Sequence, residues 1–259
     1  MFWVLQENFF DPGAFAELRR QLEAQDTPHA VVRVNARTLA LDPPLDVAGA
    51  VFVCGSSSLG RVARLRGWDP GYIDENIDYR LLARHYGEHM LNHDAVCMPL
   101  SQASVDSDLF VRPVGDGKSF AGGVKSPAEF AAWRDATLVD LARGVMLRMG
   151  ADDLVAIARP KVIHAEYRLR VVEGAIVSAS LYRRGGVACV SAPVDDRVLA
   201  FGRERLSQWS PNRAFSLDIA DTPDGLKVVE INSINSSAFY AGDIGAFVAA
   251  INRMASDPA

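Results

Sequence analysis

Asp218, Glu230 and Asn232, two carboxylates and a carboxamide, lie within "LDIADTPDGLKVVEIN". Their spacing lets them share one face of a β-hairpin. Side chains alternate faces along a strand, so Glu230 and Asn232 point the same way. A turn centred on Asp224 sets Asp218 opposite Glu230, whereas a one-residue slip in register separates them. Directly opposed side chains are ~4.5–5.5 Å apart at Cβ, where like charges repel. A cation between them removes that conflict. Two acid oxygens and an amide oxygen form a hard donor set that suits Mg2+, with water and substrate phosphates completing the shell. The same three residues also fit an exposed hairpin whose acids are simply solvated.

The basic residues bear on that choice. "HAEYRLRVV" puts Glu166, Arg168 and Arg170 on one strand face and Tyr167, Leu169 and Val171 on the other, a charged face over an apolar back. Arg112 stands in "LFVRPV" before a proline, where an apolar residue is expected. Lys118 lies in "GDGKSFAGG", among glycines that free the backbone to wrap an anion. Lys161 ends "LVAIARPK", and Arg183 and Arg184 end "SASLYRR". Any one of these alone reads as a solvated surface charge. Several at strand ends and glycine loops, beside a hard-donor hairpin, favour a polyphosphate site. "GKS" is not a P-loop, because the glycine required five residues before Gly117 is replaced by Arg112. No GxGxxG opens a helix after the first strand, so a different fold must hold the nucleotide.

The elements that position these residues alternate between strand and helix. "WVLQE", "HAVVRVN" and "AVFVCG" read as strands, with the helix "DPGAFAELRRQLEAQ" after the first. Asp11 is its N-cap, Pro12 its first residue, and Phe15, Leu18 and Leu22 form its apolar stripe. A polar helical stretch from Ser58 is broken by "GWDPGY", and a helix is expected through "YRLLARHYGEHMLNHD". The strand "LFVRPV" precedes the glycine-rich loop. A helix then starts at Ser126, with Pro127 first and Glu129 completing a capping box, and is expected to run to Gly150. Three strands, "LVAIARP", "HAEYRLRVVEG" and "AIVSASLYRRGG", lead to the helix "DDRVLAFGRERLSQW". The hairpin turning at Pro223-Asp224-Gly225 and the helix "IGAFVAAINRMA" complete the chain.

Bulk composition narrows the function classes. The chain has 259 residues, 49% hydrophobic and 23% charged, ordinary for a globular protein of one large or two small domains. A net charge of −5 argues against a nucleic-acid partner. No apolar run reaches the ~20 residues that span a membrane. "MFWVLQENFF" lacks a basic start and makes a poor signal peptide. Three widely spaced cysteines, Cys54, Cys97 and Cys189, suit a reduced, cytoplasmic protein. The pattern specifies no oligomeric state.

Taken in order, "VRPVGDGKSFAGGV", "ARPKVIHAEYRLRVVEGAIVSASLYR" and "VVEINSINSSAFYAGD" resemble the ATP-grasp superfamily. They are most similar to a compact bacterial and phage clade named for its arginine-and-lysine signature. "GWDPGY" with "YGEHMLNHD" resembles the N-terminal part of that clade, so the likeness covers most of the chain. It implies an ATP-grasp fold, α/β and α+β in class. A small N-terminal α/β pre-domain would span residues 1–98. A nucleotide- and metal-binding region would span 99–259, with ATP held between two α+β subdomains. It implies ATP and Mg2+ as cofactors, with Asp218, Glu230 and Asn232 as the metal set, for one ion or two. Arg112 matches a phosphate-contacting basic residue, Lys161 a second nucleotide-contacting lysine, and Glu166 with Arg168 the "EYR" of the central strand. Lys118 fits the loop that covers the phosphates. Arg168 and Arg183 are expected in catalysis, Arg183 stabilising an acyl phosphate or holding the acceptor carboxylate. Asn235 and Arg170 are expected toward the substrate. The activity implied is a carboxylate–amine ligase working through an acyl phosphate, on small-molecule or peptide acids and amines. A nucleotide-binding partner module without turnover, or a kinase of small molecules or peptides, are the other readings.

Three features stand outside that reading. His85, His89 and His93 recur every four residues, a spacing that can hold Zn2+ on a helix but equally suits a polar helix face. Cys54, ending an apolar strand, reads as a core thiol. Asp74, Glu75 and Asp78 form an acidic stretch, expected to be a solvated loop or a surface for a basic substrate.

Overall fold

The computed structural model describes residues 1–73, 77–115, 117 and 119–254. Lys118, Asp74 and Glu75 lie outside the described residues. In chain order the elements are β1 (Phe2–Gln6), α1 (Pro12–Ala24), β2 (His29–Val34), β3 (Leu41–Asp42), β4 (Ala50–Cys54), α2 (Ser57–Leu65), β5 (Asp69–Gly71), α3 (Tyr79–Tyr86), β6 (Val96–Pro99), β7 (Leu109–Pro113), β8 (Gly123–Lys125), α4 (Pro127–Ala142), β9 (Leu154–Ala158), β10 (Ala165–Val172), β11 (Ala175–Arg184), β12 (Val187–Ser191), α5 (Asp196–Gln208), β13 (Ala214–Thr222), β14 (Gly225–Ser233) and α6 (Ile244–Met254). They form two compact units, one of residues 1–75, 164–221 and 231–259, the other of residues 76–163 and 222–230.

The first unit holds one sheet and most of a second, whose strand β14 has residues 225–230 in the second unit and 231–233 in the first. In the order β3-β2-β1-β4-β5, β1 runs parallel to both β2 and β4. The helix α1 starts as its sequence dictates. The Asp11 carboxylate accepts from the amides of Gly13 and Ala14, Pro12 opens the helix, and Leu18 and Leu22 are buried. The second sheet has the order β12-β11-β10-β13-β14, with β10 antiparallel to β11 and β13. On one face of this sheet α5 packs through Gly202, where an added Cβ would lie 2.5 Å from Leu169 Cδ2. On the other, α6 presents Phe247, which also meets Trp3 at 5.8 Å between ring centroids. Six of the residues of α6 are buried, which is why its sequence is apolar over most of its circumference.

In the second unit the sheet β6-β9-β7-β8 is antiparallel throughout. The capping box at the start of α4 is formed, with the Ser126 amide donating to Glu129 at 2.9 Å and the Glu129 amide donating to Ser126 Oγ at 3.3 Å. Phe130 of α4 closes the core over Val111, Val155 and Ile157.

Two helices stop earlier than the sequence suggests, and each stops at a glycine. The helix expected over residues 79–94 ends at Tyr86, because Gly87 takes φ 52° and a single 3-10 turn, Gly87–His89, follows. His85, His89 and His93 therefore do not stack on one helical face. Among the described residues no three His, Cys, Asp or Glu side chains are grouped to hold a metal ion. The helix expected to reach Gly150 ends at Ala142. There the Gly144 amide donates to Leu141 and the Val145 amide to Asp140, with Gly144 at φ 76°, the Schellman arrangement. The strands β3, β5, β6, β8 and β12, of two to five residues, have no clear alternation and were not foreseen. Cys54 is fully buried, as expected of a core thiol.

Candidate functional site

The first unit gathers the charged residues of β10 on one sheet face. Arg168 stands directly across from Asp218 on β13. Its Nε donates to Asp218 Oδ1 at 2.8 Å and its Nη2 to Oδ2 at 2.7 Å. Such a fork matches the planar carboxylate in both shape and charge. Asp218 is 2% exposed and Arg168 12% in their side chains, so the pair is buried. Burial works against the Arg168 charge, but the Asp218 carboxylate outweighs it and the guanidinium is held firmly protonated. Asn232 reaches the same acid, donating from Nδ2 to Asp218 Oδ2 at 3.2 Å.

Glu166, two residues earlier, faces β11 at a bulge. Register slips there, so Glu166 pairs with Arg183 while Tyr167 pairs with Leu181. Tyr182 is the extra residue, and both it and Arg183 meet Glu166. The Tyr182 hydroxyl donates to Oε2 at 2.8 Å and Arg183 Nη1 to Oε1 at 3.0 Å. Burial, reinforced by the charges of Asp218 and Glu166, pushes the Tyr182 hydroxyl above its ordinary range, so it remains a donor. Tyr240 stacks on Tyr182 with centroids 4.9 Å apart and planes at 11°. The Arg168 guanidinium lies 5.6 Å from one ring and 5.4 Å from the other. The expected residues Glu166, Arg168, Arg183, Asp218 and Asn232 are thus brought together. Tyr182 and Tyr240 complete the cluster without having been anticipated. A tyrosine in "SSAFYAGD" was visible beside the polar motif, but nothing in its spacing marked it as a ring-stacking partner.

Arg170 and Asn235 brace this face from beneath. Arg170 is 2% exposed, donates to the carbonyls of Ile234 and Ser237, and lies 4.1 Å from the Phe239 ring centroid. Burial, with the Arg168 charge adding to it, holds its guanidinium below the ordinary arginine range, while the two carbonyls and the Phe239 and Phe247 rings give the charge its contacts. Asn235 is fully buried. It donates to Val53 and Gly71 carbonyls and accepts from the Ile73 amide at 2.8 Å. Both residues, expected toward a substrate, spend their polar groups on fixing the segment after β14.

In the second unit Arg112 and Lys161 occupy different surroundings. Arg112 Nη2 lies 3.7 Å from Glu230 Oε2, and its guanidinium is 5.5 Å from the Tyr79 ring centroid. Lys161 donates to Asp94 at 2.7 Å. It borders a cleft of 400 Å³ whose walls include Leu91, Pro160, Val162 and Lys227, within the size range of small-ligand sites. Lys227 is held there by the Glu88 carbonyl at 2.9 Å.

Asp218 and Asn232 in the first unit, and Glu230 in the second, offer carboxylate and carboxamide oxygens, the donor chemistry that suits a hard divalent cation. Each of the two acids is charge-compensated by an arginine, Asp218 by Arg168 and Glu230 by Arg112.

The chain shares its fold with solved structures at low sequence identity. Over 98% of this chain and 96% of the other, it superposes on a RimK domain protein ATP-grasp from Sphaerobacter thermophilus, with TM-score 0.61 and 13% identity. The ATP-grasp ligase PsnB complexed with a minimal precursor matches with TM-score 0.57 and 14% identity over 98% of both chains. D-alanine–D-alanine ligase from Bacillus anthracis matches with TM-score 0.56 and 11% identity over 91% of this chain and 87% of that one. The fold is that of the ATP-grasp proteins. A sequence comparison with curated proteins finds no match. The family described as an ATP-grasp domain, the third family of the clade named for its arginine and lysine, matches residues 61–251, and this chain belongs to that family.

Proposed function

We propose that this protein is an ATP- and Mg2+-dependent ligase that joins a carboxylate to an amine through an acyl phosphate. The observation that carries this reading is the polar face of β10, where Arg168 forks onto buried Asp218 beside Asn232 and Glu166 anchors Tyr182 and Arg183. Phosphoryl transfer asks a protein for placement and charge neutralisation rather than for a covalent nucleophile. A face rich in fixed guanidinium, carboxylate and amide groups, with its orientation locked by cross-strand bonds, supplies both.

In this reading Asp218, Glu230 and Asn232 hold the metal, which when bound neutralises phosphate charge. Arg112 contacts phosphate, Lys118 closes over it, and Lys161, on the cleft of the second unit, contacts the nucleoside end. Arg168 keeps Asp218 oriented and offers its outer edge to anionic oxygen. Arg183 is half exposed and spends one of its nitrogens on Glu166, so the rest of its fork is available to the acceptor carboxylate or to the acyl phosphate. Residues 99–259 carry the nucleotide and metal, and residues 1–98 form a small N-terminal α/β pre-domain. Three free cysteines suit a reducing cytoplasm. Structural relatives described as ligases, PsnB with its precursor and D-alanine–D-alanine ligase, lend the reading support through the shared fold.

The test is a screen of amino acids, small acids and peptides, in pairs, for release of ADP and inorganic phosphate with Mg-ATP. The ligase reading expects both products, in equal amounts, together with a new amide. ADP with a stable phosphorylated product makes the protein a kinase, and ATP binding with neither product makes it a binding module.

A further inference from the structure

The sheet that carries the polar face borders a second cleft on its opposite side. Tyr167 lies between Glu166 and Arg168 on β10 and therefore points away from them, toward the side covered by α5. It is 7% exposed and lines a cleft of 340 Å³ wholly within the first unit. A buried phenol normally finds a partner, yet the Tyr167 hydroxyl makes no hydrogen bond among the described residues. It is not sealed off from solvent either, so it opens into the cleft.

The groups around it sort by charge. Arg184 at the end of β11, Ser191 at the end of β12 and His164 just before β10 border the cleft, and their side chains have no partner among the described residues. The two acids of the cleft are already engaged. Asp221 accepts from Arg197 Nη1 at 3.3 Å and from its Nη2. Asp195 caps α5, accepting from the Arg197 amide at 2.9 Å, and lies 3.5 Å from Arg197 Nε. What remains unspent is a set of donors: a guanidinium, a phenol, a hydroxyl and an imidazole. Leu181, Pro193 and Val194 give the cleft apolar walls and limit its occupant to a compact group.

We propose that this cleft is an anion site that takes a compact oxyanion group, a carboxylate or a phosphate, held by the Arg184 fork and the Tyr167 hydroxyl. The site is independent of the nucleotide and metal reading, because it lies behind the sheet and uses none of the residues assigned to that reading. An anion there would sit one residue away, along β10, from both Glu166 and Arg168.

The test is a 13C NMR titration of protein labelled at tyrosine Cζ, with the Tyr167 resonance assigned by Tyr167→Phe. Sodium phosphate and, separately, sodium acetate are added at constant ionic strength. The expected result is a saturable shift of the Tyr167 resonance with at least one of them, and which anion acts distinguishes phosphate from carboxylate. Arg184→Gln, at an exposed position, should weaken that binding at least tenfold. A non-hydrolysable ATP analogue at millimolar concentration with Mg2+ should leave the titration unchanged. Failure of the analogue to bind would sink the nucleotide reading and leave the Tyr167 titration standing. No saturable shift with either anion, unchanged affinity in Arg184→Gln, or loss of the titration when the analogue is added would each overturn the anion site.

Discussion

Asp218→Asn keeps the shape of the buried acid and removes its charge, which leaves Arg168 ionised and 12% exposed without a counter-ion. Breaking a buried pair from one side costs about 3–5 kcal/mol. Urea unfolding of the variant should show a loss of that order, and a loss under about 1 kcal/mol would mean the fork contributes little to the fold. The alternation of Glu166, Arg168 and Arg170 was readable in the sequence, because a regular strand fixes which side chains share a face. Tyr182 was not, because strict alternation puts it on the face opposite Arg183 and only the bulge at Glu166 turns both toward the same carboxylate. The thiols separate by burial in a similar way. Burial pushes Cys54 up to about 12, Cys97 is half-buried and also raised, and Cys189 is exposed. Since the thiolate is the reactive form, a disulfide reagent at pH 8 should modify Cys189 fast, Cys97 slowly and Cys54 only after unfolding. Rapid reaction of all three in the folded protein would contradict this burial.

The elements hold these side chains by close approaches that only small residues permit. Gly202 brings α5 onto the apolar back of β10, and a methyl there would meet Leu169 Cδ2 at 2.5 Å and Ile176 Cδ1 at 3.1 Å. Overpacking of this kind costs about 1–3 kcal/mol. Gly202→Ala should therefore lower the denaturant midpoint in spite of the better helix propensity of alanine, and a stabilised variant would show that α5 can move off the sheet freely. The sequence marked α5 and the strands of its sheet by their periodicity. It did not mark where α3 and α4 end, since the apolar and charged residues beyond Gly87 and Gly144 continue a helix-like pattern and a lone glycine can be carried inside a helix, whereas here both take positive φ and stop it. The edge strand β12 was missed for the opposite reason. All five of its residues are exposed, so no buried face imposes an apolar pattern on it.

For the whole molecule, family membership and fold rest on the order of motifs along the chain as much as on any one residue. The arginine strand, glycine loop, "EYR" strand and "EIN" hairpin were legible in that order, whereas the substrate was not, since acceptor chemistry is set by side chains scattered over several segments. A ligand that binds only the folded state stabilises it by RT ln(1 + [L]/Kd), about 2.7 kcal/mol at a hundredfold excess over Kd. Mg-ATP should accordingly raise the melting temperature, and ATP with a chelator should raise it less. An identical melting curve with and without millimolar Mg-ATP would count against any nucleotide site. The most direct test is calorimetric titration of Mg-ATP into the wild-type protein and into Glu230→Gln, a change at a half-buried residue 3.7 Å from Arg112 that should alter folding stability by no more than about 0.5 kcal/mol. The account predicts saturable binding at one site in the wild type, dependent on Mg2+ for full affinity, and affinity at least tenfold weaker in the variant. Equal affinity in the two proteins, or no binding to either, would contradict it.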